Sequence, residues 1–205
     1  MAGNKFEFQY IFGFIASIFF IHIIGLFLNL DYSAFCLVPR KIENIFGVLT
    51  MPLLHENFEH LFSNLFSFFI VSFVLFSIYA RVAKWVFWMG YFFTGLLVWF
   101  IGRDNSCHIG ASGLVYCISF FLMMSGIIRK DITSLIAAII VIFFNQGLIA
   151  GMLPLQSKIS WEGHLSGAIV GTICAIIFRN IDRKKAIKHQ RTKTIRRRFF
   201  EDFDE

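Results

Sequence analysis

Charge is what this sequence has least of. Asp, Glu, Lys and Arg make up 16% of its 205 residues, against about 25% in an ordinary soluble domain. That scarcity, together with 57% apolar residues and a mean hydropathy of +0.70, excludes a soluble globular protein and points to a membrane. Cysteine is scarce as well. Cys36, Cys107, Cys117 and Cys174 show no metal-ligand spacing, and neither a metal nor a cofactor is expected. Cys117 and Cys174 fall inside apolar segments, where a small buried thiol is ordinary. Cys36 and Cys107 fall in loops on one side of the membrane, and sequence alone leaves their pairing open.

What the chain has in plenty is phenylalanine, 28 residues of it, which reads as lipid-facing surface. It also carries a formal net charge of +6, but ten of its 19 Lys and Arg lie from Arg179 onward. A basic tail behind a hydrophobic helix is a cytoplasmic, headgroup-facing segment. No nucleic-acid motif accompanies it, so no nucleic-acid partner is expected. The organisation expected is a membrane domain over 1–179 and a basic cytoplasmic tail over 180–205.

Six apolar stretches are long enough to cross a hydrocarbon core, which takes about 20 residues of helix. They lie near 10–28, 58–79, 83–102, 112–128, 132–151 and 163–179. The first is too long for a signal-peptide core and lacks a small-residue cleavage site, so it is expected to be retained. With the N-terminus inside, 15 of the 19 basic residues fall on the inner side. Both termini are therefore expected in the cytoplasm.

Polar side chains are costly in a bilayer, so intramembrane His and Asn residues are functional candidates. His60 and Asn64 open the second helix, Ser112 the fourth and His164 the sixth. All three helices run outside to inside, which brings the four residues to one depth near the outer face. His60 and Asn64, four apart, lie about 40° apart on one helix face. Ser112 sits in Gly110-Ala111-Ser112-Gly113, and His164 is followed by Gly167 and Gly171 on its own face. These small residues let helices come close, and a serine brought to a histidine is a nucleophile–base pair.

His60-x-x-x-Asn64, Gly110-Ala111-Ser112-Gly113 and Gly163-His164-x-x-Gly167-x-x-x-Gly171 resemble, in order and helix placement, the motifs of the rhomboid intramembrane proteases. The resemblance covers roughly residues 10–179. It implies an all-α, six-helix membrane bundle and a Ser–His dyad that cleaves transmembrane protein substrates. Ser112 would be the nucleophile and His164 the general base. His60, Asn64 and the Ser112 backbone N–H would hold the oxyanion, and Tyr116 would stack on His164. Gly110, Gly113, Gly167 and Gly171 would support the site. The expected location is a bacterial inner membrane, with the site open to the outer side. No acid lies within the last three expected spans, as a dyad without a third member requires. Glu162, the nearest, is expected to face the outer loop. The outer loop Met152–Lys158 corresponds in position to the family's cap over the site. The first outer loop, about 29–57, departs from the pattern, because it lacks the Trp-Arg pair of many bacterial members.

Blander readings exist for each residue. Ser112 alone reads as a packing serine, His60 and Asn64 as interhelical hydrogen-bond glue, and Tyr116 as a packing ring. Asn145 and Gln146 are taken as structural glue. No role is assigned to His22, His55, His108 or His189. The run His-Glu-Asn-Phe-Glu-His at 55–60 is not a zinc signature, because its histidines are five apart, about 140° around a helix. A transporter would need broken helices or paired charges at the midplane. The main non-enzyme alternative is a rhomboid-like protein that binds membrane clients without cutting them, and relatives of that kind lack the serine or the histidine.

Overall fold

The computed structural model describes residues 4–145, 147–155 and 160–181. Six longer helices carry the described chain: α1 (Asn4–Phe27), α2 (Phe58–Ile78), α3 (Ala83–Ile101), α4 (Ser112–Arg129), α5 (Ile132–Phe144) and α6 (Trp161–Ile177). The first four are long and apolar enough to cross a membrane, α1 from Phe8 onward, while α5 and α6 are shorter apolar helices. This is an all-helical, multi-pass arrangement.

Local sequence explains where helices start. Asn57 accepts the His60 N–H at 2.8 Å, Asp131 accepts the Ser134 N–H at 3.0 Å, and Ser160 accepts the Gly163 N–H at 3.3 Å. Each cap satisfies an amide that the first helical turn leaves without a partner. Because Ser160 caps it, α6 begins at Trp161 rather than 163. The fifth helix also departs from expectation. It is not continuous over 132–151 but ends at Phe144 and gives way to a separate turn at Leu148–Gly151. The Asn145 side chain donates back to Val141 O at 3.2 Å while its backbone leaves helical space (φ −127°, ψ 56°). An amide that binds its own preceding turn competes with helix continuation. Gln146 lies outside the described residues, as do residues 156–159 and the tail from 182 onward.

α4 is the axis of the bundle. In its hydrophobic window 67% of residues are buried, against 22% in α1, and α2, α3, α5 and α6 all pack on it. Glycine permits the closest approach. A Cβ added to Gly167 would lie 2.1 Å from Gly113 O, and one on Gly171 would lie 2.0 Å from Cys117 O. Nothing larger than hydrogen fits there. Outward faces carry large residues such as Phe62, Phe66, Ile139 and Phe143, which accounts for the abundance of phenylalanine.

The segment between α1 and α2 folds into short helical turns, including Gly47–Thr50 and Met51–Leu53, and is bound to the α3–α4 loop. A Cys36–Cys107 disulfide joins the two, so the pairing left open by sequence is formed. Beside it Leu37 and His108 exchange two backbone hydrogen bonds, 3.1 and 2.9 Å. Arg40 donates to Phe100 O and Gly102 O and pairs with Asp104.

Candidate active site

The starts of α2, α4 and α6 and the Leu148–Gly151 turn surround a cavity of about 1180 Å3. His60, Asn64, Ser112, Tyr116 and His164 all line it. The five residues singled out from sequence for chemistry are therefore brought together.

Ser112 Oγ lies 2.9 Å from His164 Nε2, and His164 Nδ1 lies 2.8 Å from the carbonyl oxygen of Gly151. A carbonyl only accepts, so Nδ1 must carry the proton of the neutral ring. Nε2 is then bare and faces the serine hydroxyl, the arrangement a general base requires. Tyr116, one turn after Ser112, lies flat on the imidazole with centroids 4.1 Å apart and planes 6° apart. Gly151 packs at the edge of this stacked pair, next to the Nδ1 that its carbonyl holds. A Cβ there would lie 2.1 Å from the Tyr116 hydroxyl and 3.1 Å from His164 Nδ1.

The donors for a developing negative charge come from two directions. Ser112 is the first residue of α4, so its N–H belongs to the turn whose amides lack a helical carbonyl and favour an anion. From α2, Asn64 Nδ2 spends one hydrogen on His60 O at 2.8 Å and keeps the other. His60 packs against Gly110, where a Cβ would lie 2.8 Å from His60 Nε2 and 4.0 Å from Ser112 Oγ. Gly110 also has φ +112°, a conformation that glycine alone adopts without strain. Gly113, Gly167 and Gly171 act one layer away, in the α4–α6 contact.

Several groups around the site were not legible as such. His55 accepts the Ala111 N–H at 3.4 Å, and Met51 O accepts the Gly110 N–H at 2.8 Å. Together they hold the backbone that leads into Ser112. Burial, reinforced by the neighbouring His60, pushes the His55 pKa down to about 3. Its Nε2 is thus committed to an amide, and no group of three His, Cys, Asp or Glu among the described residues is placed to hold a metal ion. His108 is buried between Ser106 Oγ (2.7 Å) and Ser160 Oγ (2.6 Å). Burial lowers its pKa too, partly opposed by Glu162.

Glu162 does turn towards a loop on the expected side, but it is not exposed there: it is fully buried and ion-paired with Arg103 of the α3–α4 loop. A carboxylate out of water needs such a partner. Asn145 lines the cavity wall, and His22 is buried with its ring edge-on to Phe58.

A family model of the rhomboid domain matches residues 43–181. The chain belongs to the rhomboid family. Uncharacterized proteins of Mycobacterium bovis and Mycobacterium tuberculosis are each 31% identical to it over 159 residues, covering 73% of this chain and 66% of theirs. Rhomboid-like protein 11, chloroplastic, of Arabidopsis thaliana is 32% identical over 142 residues, 61% of this chain and 49% of its own length. The chain thus spans just under two thirds of the mycobacterial relatives. In this rhomboid chain every site residue, from His60 to Gly171, falls inside the matched region.

Proposed function

We propose that this rhomboid chain is an intramembrane serine endopeptidase that hydrolyses peptide bonds in or near transmembrane segments of other membrane proteins. The observation that carries the reading is the Ser112–His164 pair, 2.9 Å apart, with the far imidazole nitrogen held by a carbonyl. A serine that merely packs needs no base on its hydroxyl.

In the proposed reaction His164 Nε2 takes the Ser112 proton as Oγ bonds to the scissile carbonyl carbon. Charge moves to the carbonyl oxygen, where the Ser112 N–H and the side chains of His60 and Asn64 stabilise it. Collapse breaks the C–N bond, and His164 gives its proton to the leaving amine. Water then attacks the acyl-enzyme with His164 again as base, releasing the acid and free Ser112. Gly151 O and the Tyr116 ring hold the imidazole in the orientation that a triad assigns to a carboxylate. A substrate helix must be locally unwound, because helical hydrogen bonding shields its carbonyls.

The proposed setting is a six-span bundle over residues 1–179 in a bacterial inner membrane. Both termini and the basic 180–205 tail are cytoplasmic and the cavity opens outward. The excess of basic residues on one side supports that orientation.

The test is cleavage of a single-span substrate carrying helix-distorting residues, by detergent-purified protein. Ser112→Ala and His164→Ala should each lower the rate by roughly a thousandfold or more, as loss of a dyad member does, with unchanged melting. Equal cleavage by Ser112→Ala would sink the serine mechanism. Binding of such substrates by wild type without any cutting would move the client-binding alternative ahead.

A further inference from the structure

His108 and Ser160 form a link, unanticipated from sequence, between the loop that ends in Ser112 and the helix that carries His164. The hydrogen-bond directions along it can be assigned. Ser106 Oγ donates to Arg103 O at 2.6 Å, so towards His108 Nε2 it must accept, and the ring proton sits on Nε2. Nδ1 is then bare and accepts the Ser160 hydroxyl proton at 2.6 Å. Ser160 Oγ in turn accepts the Gly163 N–H at 3.3 Å, and Ser160 O accepts the His164 N–H at 3.2 Å. Every polar side-chain atom of this link is satisfied by one His108 tautomer and one rotamer of each of the two serine hydroxyls.

The two ends of this link are unequal. His108 is anchored: its backbone is paired with Leu37 in both directions, and the Cys36–Cys107 disulfide lies next to it. Ser160 is tied in by its cap on the first turn of α6, four residues before His164, and by its bond to His108. We propose that His108 is a positioning residue for the dyad, holding Ser160, and through it the first turn of α6, at the height where His164 meets Ser112. The proposal rests on the serine-protease reading of the same site. Displacements near 1 Å at such a contact can cost on the order of a hundredfold in rate. Arg103–Glu162 and the glycine contacts join the same segments, so loss of His108 should leave the bundle folded.

The experiment compares His108→Phe, which keeps a ring but makes neither bond, with His108→Asn, whose side-chain oxygen can still accept from Ser160. Ser160→Ala and the His108→Phe/Ser160→Ala double variant complete the cycle. On a cleavable single-span substrate, kcat should fall about tenfold for His108→Phe and for Ser160→Ala, with KM within twofold. The double variant should be no worse than either single one, since both cut one chain. His108→Asn should recover to within about threefold of wild type. A purely structural role would lower melting and leave the kinetics of the folded fraction unchanged. Wild-type kcat in His108→Phe, additive losses, or an effect confined to KM would overturn the proposal.

A second readout needs no turnover. The downfield proton resonance of His164 Nδ1–H, bonded to Gly151 O, should persist in His108→Asn and broaden or shift in His108→Phe. If wild type cuts nothing, the protease reading fails by itself and this resonance alone decides whether His108 positions His164. An unchanged resonance in His108→Phe would then reject it.

Discussion

The contact between α4 and α6 and the wall formed by α2 and the end of α5 border the same cavity but are built on opposite rules. Between α4 and α6 backbone meets backbone: Gly167 and Gly171 lie against the carbonyls of Gly113 and Cys117. Between α2 and the end of α5 the neighbouring surfaces are Ser63, Asn64, Ser67, Phe144 and Asn145, and they line open volume. α5 shows both habits along its length. In its first half the Ser134 carbonyl and Ala138 meet Gly126 of α4, while its end at Phe144 borders the cavity. The two groups that must stay 2.9 Å apart lie on the tight contact. On the proposed serine-protease reading, a substrate segment would enter where packing is loose. That reading then puts rigidity and access on different helix pairs, as holding catalytic groups on well-packed elements requires.

Within this comparison the largest effect should come from one methyl group placed in the tight contact. In Gly167→Ala the new Cβ would meet Gly113 O at 2.1 Å, and a backbone oxygen cannot swing aside. The helices must separate, at a cost of roughly 1–3 kcal/mol for overpacking. Ser112 and His164 separate with them, so cleavage should fall about a hundredfold or more. Thermal melting and substrate cleavage measured on the same preparation check both halves. Unchanged activity with lowered melting would show that the dyad does not depend on this contact.

Acid should act next, on the backbone that leads into Ser112. His55 holds the Ala111 amide only while neutral, and its pKa in the fold is about 3 against an ordinary 6.5. Between those values the unfolded chain binds a proton that the folded one refuses. Stability is therefore full above about pH 6.5 and is lost progressively as pH falls towards 3. Two pH units below 6.5 correspond to roughly 2–3 kcal/mol. His108, also held low by burial, adds in the same direction. Melting of wild type from pH 7 to 4.5, set beside His55→Gln, measures the contribution. The variant should start lower and fall less steeply; parallel curves would remove His55 from the account.

Much of this site could be read from sequence because its chemistry sits on side chains that a membrane helix has little other reason to hold. His60, Asn64, Ser112 and His164 stood out by type and common depth, and Gly167 and Gly171 by spacing on one face. The rest was hidden for identifiable reasons. The partner that orients His164 is the backbone carbonyl of Gly151, and a carbonyl leaves no mark in a sequence. His55 and His108 read as idle loop histidines because their partners are an amide 56 residues away and a hydroxyl 52 residues away. The burial of Glu162 has no local sequence signal because its ion-pair partner Arg103 is 59 residues distant. The break after Phe144 is hard to read because an Asn in an apolar run fits structural glue as well as the amide that binds its own preceding turn.

The smallest expected effect is also the sharpest contrast, because it repeats the same substitution on the loose side. Gly147 follows the break in α5 with φ −84° and ψ 5°, angles that alanine adopts readily. A Cβ there would meet nothing within 4 Å. Gly147→Ala therefore adds no clash and removes freedom from the unfolded chain, which stabilises by about 0.4–1 kcal/mol where the native conformation is compatible. Melting should rise slightly, opposite in sign to Gly167→Ala, and kcat should stay within about twofold, since no dyad contact passes through this Cα. A fall in kcat at raised melting would instead mean that the turn bearing Gly151 must move relative to α5 during turnover. Freedom on the loose side would then be part of the reaction and not only of access.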